Sequence, residues 1–334
     1  MSKLKKAALF FLVLIVVYWL GPTRPIPALN NEPLPTDELT LENVQIYLDE
    51  AESLPNLKPG NGAEIVWAND SNKVQTEYAF VYLPGFGASK GEGEPIHREI
   101  AKRYGMNLFL ARLEGQGVVE EEPFIDLEER RLVITAKKAV QIAKVLGKKV
   151  IIISCSTGST LGLYLAANDK DIAGVVAYSP NIDLADPMSS LLTKPWGLQL
   201  AQLFLWSKYR GFEADETVKK WWINHYRIEG LVCLKSLVQN TMTNAIFKAI
   251  EQPVYMSYYY KNEEESDQII SIPRMQEAFD LLATPEDKKR LVALPNVSGH
   301  CMASQFYSTE EQLDVVRKET FGFLENALNL SPIQ

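Results

Sequence analysis

Three cysteines in 334 residues, at positions 155, 233 and 301, are too few and too scattered for a disulfide framework. Histidine is equally scarce, with only His97, His225 and His300, and neither a CxxC nor an HExxH pair occurs. No metal site and no cofactor is therefore expected. Positive charge is outnumbered, 34 Lys and Arg against 42 Asp and Glu, giving a net charge of −8. No Lys/Arg stripe with interleaved aromatics offsets this, so nucleic acid is excluded as a partner. There is no internal repeat and no low-complexity tract. A small-x-small cleavage site is missing too, because Tyr18-Trp19-Leu20 ends the one long apolar run.

That run, Ala7 to Leu20, follows Lys3, Lys5 and Lys6. A basic start and an apolar stretch of signal length read as a signal anchor, or a signal peptide, over residues 1–24. The lysines would stay on the cytoplasmic side. The expectation is a membrane-anchored chain with an extracytoplasmic body, or a secreted or periplasmic one if the segment is cleaved. Five prolines in positions 21–36 then predict an extended linker, with bounds 25–39.

With 46% hydrophobic and 23% charged residues, the remainder is ordinary globular material, long enough for a sizeable core. Thr40 is expected to cap an amphipathic helix to about Leu54, with Leu41, Val44, Tyr47 and Leu48 on one face. From Glu64 onward strands and helices alternate. Strands are predicted at 64–69, 78–83, 107–113, 148–154, 172–179, 252–260 and 289–295. Helices are predicted at 94–105, 126–147, 157–167, 272–282 and 310–328, with Asp126 starting the second and Gly147 stopping it. Apolar runs rather than strict alternation indicate a mostly parallel α/β sheet covered by helices on both faces. Residues 184–250 interrupt this order with tryptophans, leucines and helical spacing but no strand signal.

Ligands of open parallel sheets bind at the carboxyl ends of the strands. There the chain delivers Pro84-Gly85-Phe86-Gly87, then Cys155-Ser156-Thr157-Gly158, then an acidic stretch from Glu263 to Asp267, and finally Asn296-Val297-Ser298-Gly299-His300. A serine, an acid and a histidine in that order, each just past a strand, suit nucleophilic acyl transfer. The histidine takes the serine proton and the acid orients the histidine. His97 falls inside a helix and His225 inside the insertion, so neither competes with His300. Glu263, Glu264, Glu265, Asp267 and, after an earlier strand, Asp183 are all candidate acids.

With these segments, residues 64 to 328 resemble the α/β-hydrolase family, in particular its esterase and monoacylglycerol-lipase-like members. Ser154-Cys155-Ser156-Thr157-Gly158 is similar to the family's small-x-Ser-x-small nucleophile elbow, and LPNVSGHCMAS to its histidine loop followed by a short helix. Asp267-Gln268-Ile269-Ile270-Ser271 is similar to its acid segment, which favours Asp267. LPGFGAS resembles its oxyanion segment, although Pro84 stands where relatives carry a histidine, and Gln116 replaces a histidine in the later Gly115-Gln116-Gly117.

The resemblance implies catalytic Ser156, Asp267 and His300, with backbone N–H groups of Phe86 and Thr157 forming the oxyanion hole. It implies core segments 40–183 and 251–334 and a helical cap over 184–250. The expected substrate is a small-molecule acyl ester with an apolar acyl group, such as a monoacylglycerol, with the membrane as a second partner through the N-terminal segment. An acyltransferase or thioesterase using the same residues, or a silent membrane-anchored binding protein, is the alternative. Cys155 and Cys301 each adjoin a triad position and are read as small buried thiols.

Overall fold

The computed structural model describes residues 2–35 and 38–333, so Met1, two linker positions (36 and 37) and Gln334 lie outside the described residues. The sheet is built from β1 (Glu64–Val66), β2 (Thr76–Leu83), β3 (Asn107–Leu110), β4 (Gly147–Cys155), β5 (Ile172–Tyr178), β8 (Val254–Tyr259) and β9 (Lys289–Leu294), in spatial order β1-β3-β2-β4-β5-β8-β9. All neighbours pair in parallel except β1 with β3. The expected mostly parallel sheet is thus present.

Alternate residues of each central strand enter opposite cores, which is why these strands read as continuous apolar runs. Ala79, Val81 and Leu83 of β2, with Val150 and Ile152 of β4, face a core closed by α4 (Glu129–Leu146) and α5 (Thr157–Asn168). Phe80 and Tyr82, with Ile151 and Ile153, face the other core, closed by α3 (Ile96–Tyr104) and α11 (Glu310–Ala327). The chain leaves β2 for β3 on one side and returns to β4 on the other, placing the topological switch between β2 and β4. Leu83 pairs with Ser154 there, so the loops after the two strands emerge side by side.

Several boundaries differ from expectation. Helix α4 begins at Glu129, not Asp126: the chain turns at Phe124 (φ 67°), and the Leu127 carbonyl accepts from Arg24 (2.9 Å) rather than from a helical amide. Gly147 ends α4 as expected and at once opens β4, where a Cβ would lie 2.2 Å from the Ala79 amide. The early helix, α2, spans only Val44–Ala51, and Asn43 rather than Thr40 precedes it. Its predicted inward face holds, with Val44 and Leu48 buried and Leu41 and Tyr47 packed against them.

Residues 184–250 are not purely helical. Between α6 (Gly197–Leu205), α7 (Glu216–Trp221), α8 (Ile228–Thr241) and α9 (Asn244–Phe247), the short strands β6 (Tyr209–Gly211) and β7 (His225–Arg227) form an antiparallel ribbon. Helix α10 (Ile272–Asp280) completes the set between β8 and β9. Much of α8 is core: Cys233, Leu234 and Leu237 are buried, and Lys235 is buried in an ion pair with Asp183.

The N-terminal residues form one helix, α1 (Lys3–Trp19), none of whose residues is buried. At 1.5 Å per residue its 17 residues reach only about 26 Å. No helix among the described residues is long and apolar enough to cross a membrane, so the expected spanning anchor is not supported. The described part of the proline-rich segment up to residue 35 forms no helix or strand and is docked on the body. Arg24 forms an ion pair with Glu129 (2.8 Å), Asn30 and Glu32 carbonyls accept from Lys137, and Asn31 accepts from Tyr164.

Candidate active site

Ser156 sits between β4 and α5 with φ 51° and ψ −116°, a backbone conformation that non-glycine residues avoid at a cost on the order of 1–3 kcal/mol. Main-chain hydrogen bonds hold it there. Its N–H donates to the Tyr178 carbonyl (3.0 Å), and its own carbonyl accepts from Ser159 (2.9 Å) in the first turn of α5. The sharp turn brings α5 so close to β2 that a Cβ on Gly158 would lie 1.9 Å from the Leu83 carbonyl oxygen. This is the physical reason for a small residue two positions after the serine. Ser154 does more than remain small: its hydroxyl bonds Ser159 (3.0 Å) and the Val176 carbonyl (3.1 Å), tying β4 to α5 and β5.

His300 follows β9 in a run of turns, not the expected loop and short helix. Its Nδ1 is 2.7 Å from Asp267 Oδ2. The other carboxylate oxygen accepts from the Ile269 (2.9 Å) and Ile270 (3.4 Å) amides, and the Asp267 amide donates to Tyr259 at the end of β8 (3.0 Å). Burial would raise the pKa of Asp267, but the neighbouring imidazole and these hydrogen bonds hold it below the ordinary carboxylate value. Burial likewise works against a charged His300, yet Asp267 outweighs it and raises the imidazole to about 9.

The loop carrying His300 is fastened near the Ser156 turn through Ser179, which follows Tyr178 at φ 41° and donates from Oγ to the His300 carbonyl (2.8 Å). Ser156 Oγ and His300 Nε2 make no direct hydrogen bond among the described residues. Such contacts are commonly long without substrate and tighten when it binds.

The competing acids are elsewhere engaged. Asp183 pairs with Lys235; Glu263 accepts from Tyr260 and Glu265 from Lys261 on an exposed loop, where Glu264 also lies. His97 is buried in α3, bonded through Nε2 to the Lys90 carbonyl (2.9 Å) and pushed by burial to about 4. His225 stacks on Tyr209 in the insertion ribbon.

Neither the Phe86 nor the Thr157 amide donates to any acceptor among the described residues. Thr157 opens α5, whose dipole favours negative charge at that end. Phe86 is fixed by its ring, which packs on Phe124 (4.8 Å) and Tyr226 (5.3 Å). The insertion covers this loop directly: Ile223 donates to the Gly87 carbonyl (2.7 Å) and Ser89 to Trp221 (2.9 Å). Trp222 meets Phe306 and Tyr307 of the histidine loop edge-on. Gln116 is buried with both amide atoms unpartnered, so no packing role beyond space-filling is visible for it.

No family model and no curated protein matches this chain. Solved structures do. One comes from a study of LipS and LipT, two metagenome-derived lipolytic enzymes, with a TM-score of 0.63 at 13% identity over 80% of this chain and 99% of that one. The fold is that of the α/β-hydrolases. A soluble variant of the Saccharomyces cerevisiae monoglyceride lipase, bound to a substrate analogue, gives a TM-score of 0.59 at 14% identity, covering 80% and 91% of the two chains. The Paleococcus ferrophilus monoacylglycerol lipase gives 0.55 at 12%, covering 78% and 97%. Ser156 stands at the turn between β4 and α5 of this fold.

Proposed function

We propose that this α/β-hydrolase is a serine esterase that cleaves carboxylic esters with an apolar acyl group through an acyl-enzyme. The observation that carries the reading is the Asp267–His300 hydrogen bond beside a serine held in a strained turn. In the proposed cycle Ser156 Oγ attacks the ester carbonyl while His300 Nε2 takes its proton. The Phe86 and Thr157 amides receive the developing oxyanion. Collapse breaks the carbonyl–alkoxy bond, and His300 returns the proton to the departing alcohol. Water, deprotonated by His300, then attacks the acyl-serine; the serine leaves with that proton and the carboxylic acid is released.

The aromatic groups around the loops, Phe86, Phe124 and Tyr226 on one side and Trp222, Phe306 and Tyr307 on the other, support an apolar acyl or alcohol group. A series of p-nitrophenyl esters tests this: kcat/KM is expected to rise from acetate to a medium-chain ester by at least tenfold, since each buried methylene contributes about 0.8 kcal/mol. A flat or falling series would reject the apolar-acyl reading, and no turnover or fluorophosphonate labelling of the folded protein would reject the hydrolase.

We also propose that the protein works at a lipid surface. Helix α1 is apolar around its circumference from Ala7 onward and entirely unburied. Beside its end, where Trp196 Nε1 donates to the Val17 carbonyl (3.0 Å), helix α6 exposes Leu200, Leu203 and Phe204, followed by Trp206 at 89% exposure. Two apolar surfaces joined in this way match lipid better than water. The full chain is expected to float with phosphatidylcholine vesicles in a density gradient and a chain lacking residues 1–20 to float less. Equal recovery of the full chain with and without vesicles would refute it.

A further inference from the structure

Glu92 is a carboxylate that the proposed cycle does not use, yet it is 3% exposed and lies directly under the oxyanion loop. It belongs to a short 3-10 turn, Lys90–Gly93, that leads from that loop into α3. Its Oε2 accepts from the Gly85 amide (2.7 Å) and from the Tyr82 hydroxyl (2.8 Å). Its Oε1 would lie 2.7 Å from a Cβ added to Gly85, and the Ser156 Cβ would lie 3.3 Å from the same point. The carboxyl therefore fills the space a side chain at position 85 would need, next to the nucleophile.

The imidazole of His300 acts on the carboxyl electrostatically and favours its charged form. Burial raises the pKa of Glu92, while the Gly85 amide, the Tyr82 hydroxyl and His300 oppose that rise. The Gly85 N–H is thus turned inward and satisfied, while the next amide, Phe86, has no protein acceptor. Successive amides of a tight loop cannot be reoriented independently, so fixing one fixes the aim of the next.

We propose that Glu92 is a positioning residue for catalysis: its carboxyl holds the Gly85 amide so that the Phe86 amide is aimed at the oxyanion. This rests on the serine-hydrolase reading. It also supplies a brace in a loop where Pro84, which has no N–H and a side chain without hydrogen-bonding groups, can provide none.

The test compares Glu92→Gln with Glu92→Leu. The amide oxygen of Gln can still accept both hydrogen bonds, so Glu92→Gln is expected to keep kcat within about threefold. Leu fills the space but accepts nothing. Misplacing a reacting group by about 1 Å costs on the order of 10²-fold. Glu92→Leu is accordingly expected to lose about 10²-fold in kcat and in fluorophosphonate labelling rate, with KM within about threefold. A purely structural role predicts no such split, and equal losses in both variants would overturn the hydrogen-bond brace.

A measurement on the unmodified full chain keeps the proposal decidable should Glu92→Leu fail to fold. Residue-resolved hydrogen exchange is expected to show Gly85 strongly protected and Phe86 unprotected. Comparable exchange at both positions would overturn the brace. This readout needs no turnover, so an inactive but folded wild type would remove the esterase reading while leaving the brace to be judged separately.

Discussion

Ser156→Ala is expected to abolish ester hydrolysis while leaving the fold intact. Removing the nucleophile of a serine-histidine-acid site costs on the order of 10⁶-fold in kcat, which at about 1.4 kcal/mol per tenfold is about 8 kcal/mol of transition-state stabilisation. The structure explains why the loss should be confined to chemistry. Alanine keeps the Cβ, so the backbone strain at φ 51° is unchanged, and both the amide bond to Tyr178 and the carbonyl bond from Ser159 are main-chain contacts. The hydroxyl itself is not used to hold the turn. Thermal unfolding of the variant should therefore match wild type within a few degrees, while fluorophosphonate labelling vanishes. Persistent labelling of Ser156→Ala would show that another residue, Cys155 being the nearest candidate, carries the acyl group.

Strands β2, β4, β5 and β8 were readable because both faces are buried, which forces long apolar runs between turn residues. The serine was readable because it follows such a run directly, and the histidine because it comes a few residues after the edge strand β9. The acid was less so. Several carboxylates follow β8, and only the folded loop distinguishes them, by bonding the Asp267 amide to Tyr259 and its side chain to His300. The insertion ribbon was invisible because Tyr209–Gly211 and His225–Arg227 are only three-residue strands, without an apolar alternation. Glu92 was invisible for the opposite reason. In Gly91-Glu92-Gly93-Glu94 it reads as one more solvated charge, and nothing local announces that the turn folds it beneath Gly85.

Asp267→Asn should separate orientation from electrostatics at His300. In wild type, Asp267 raises the imidazole to about 9 against the opposing effect of burial. His300 must be neutral to accept the serine proton, so kcat/KM should climb with pH, with its acid limb above the ordinary histidine value near 6.5. Replacing the carboxylate with an amide removes the charge but leaves the burial, so the limb should move downward by at least about two pH units. Taken alone, that shift would put more His300 in the neutral form at pH 7 and raise activity. Orientation acts the other way. The amide nitrogen of Asn can donate to Nδ1, leaving the ring proton on Nε2, where the serine proton must arrive. Loss of the correct tautomer costs on the order of 10⁴-fold in kcat, far more than the change in neutral fraction could restore. The expected profile is therefore lower at every pH and has its limb displaced to acid. A loss of similar size with the limb unmoved would mean that Asp267 does not set the charge state of His300. A displaced limb with nearly full activity would mean that the packing of the His300 loop, including the Ser179 bond to the His300 carbonyl, rather than Asp267, orients the ring.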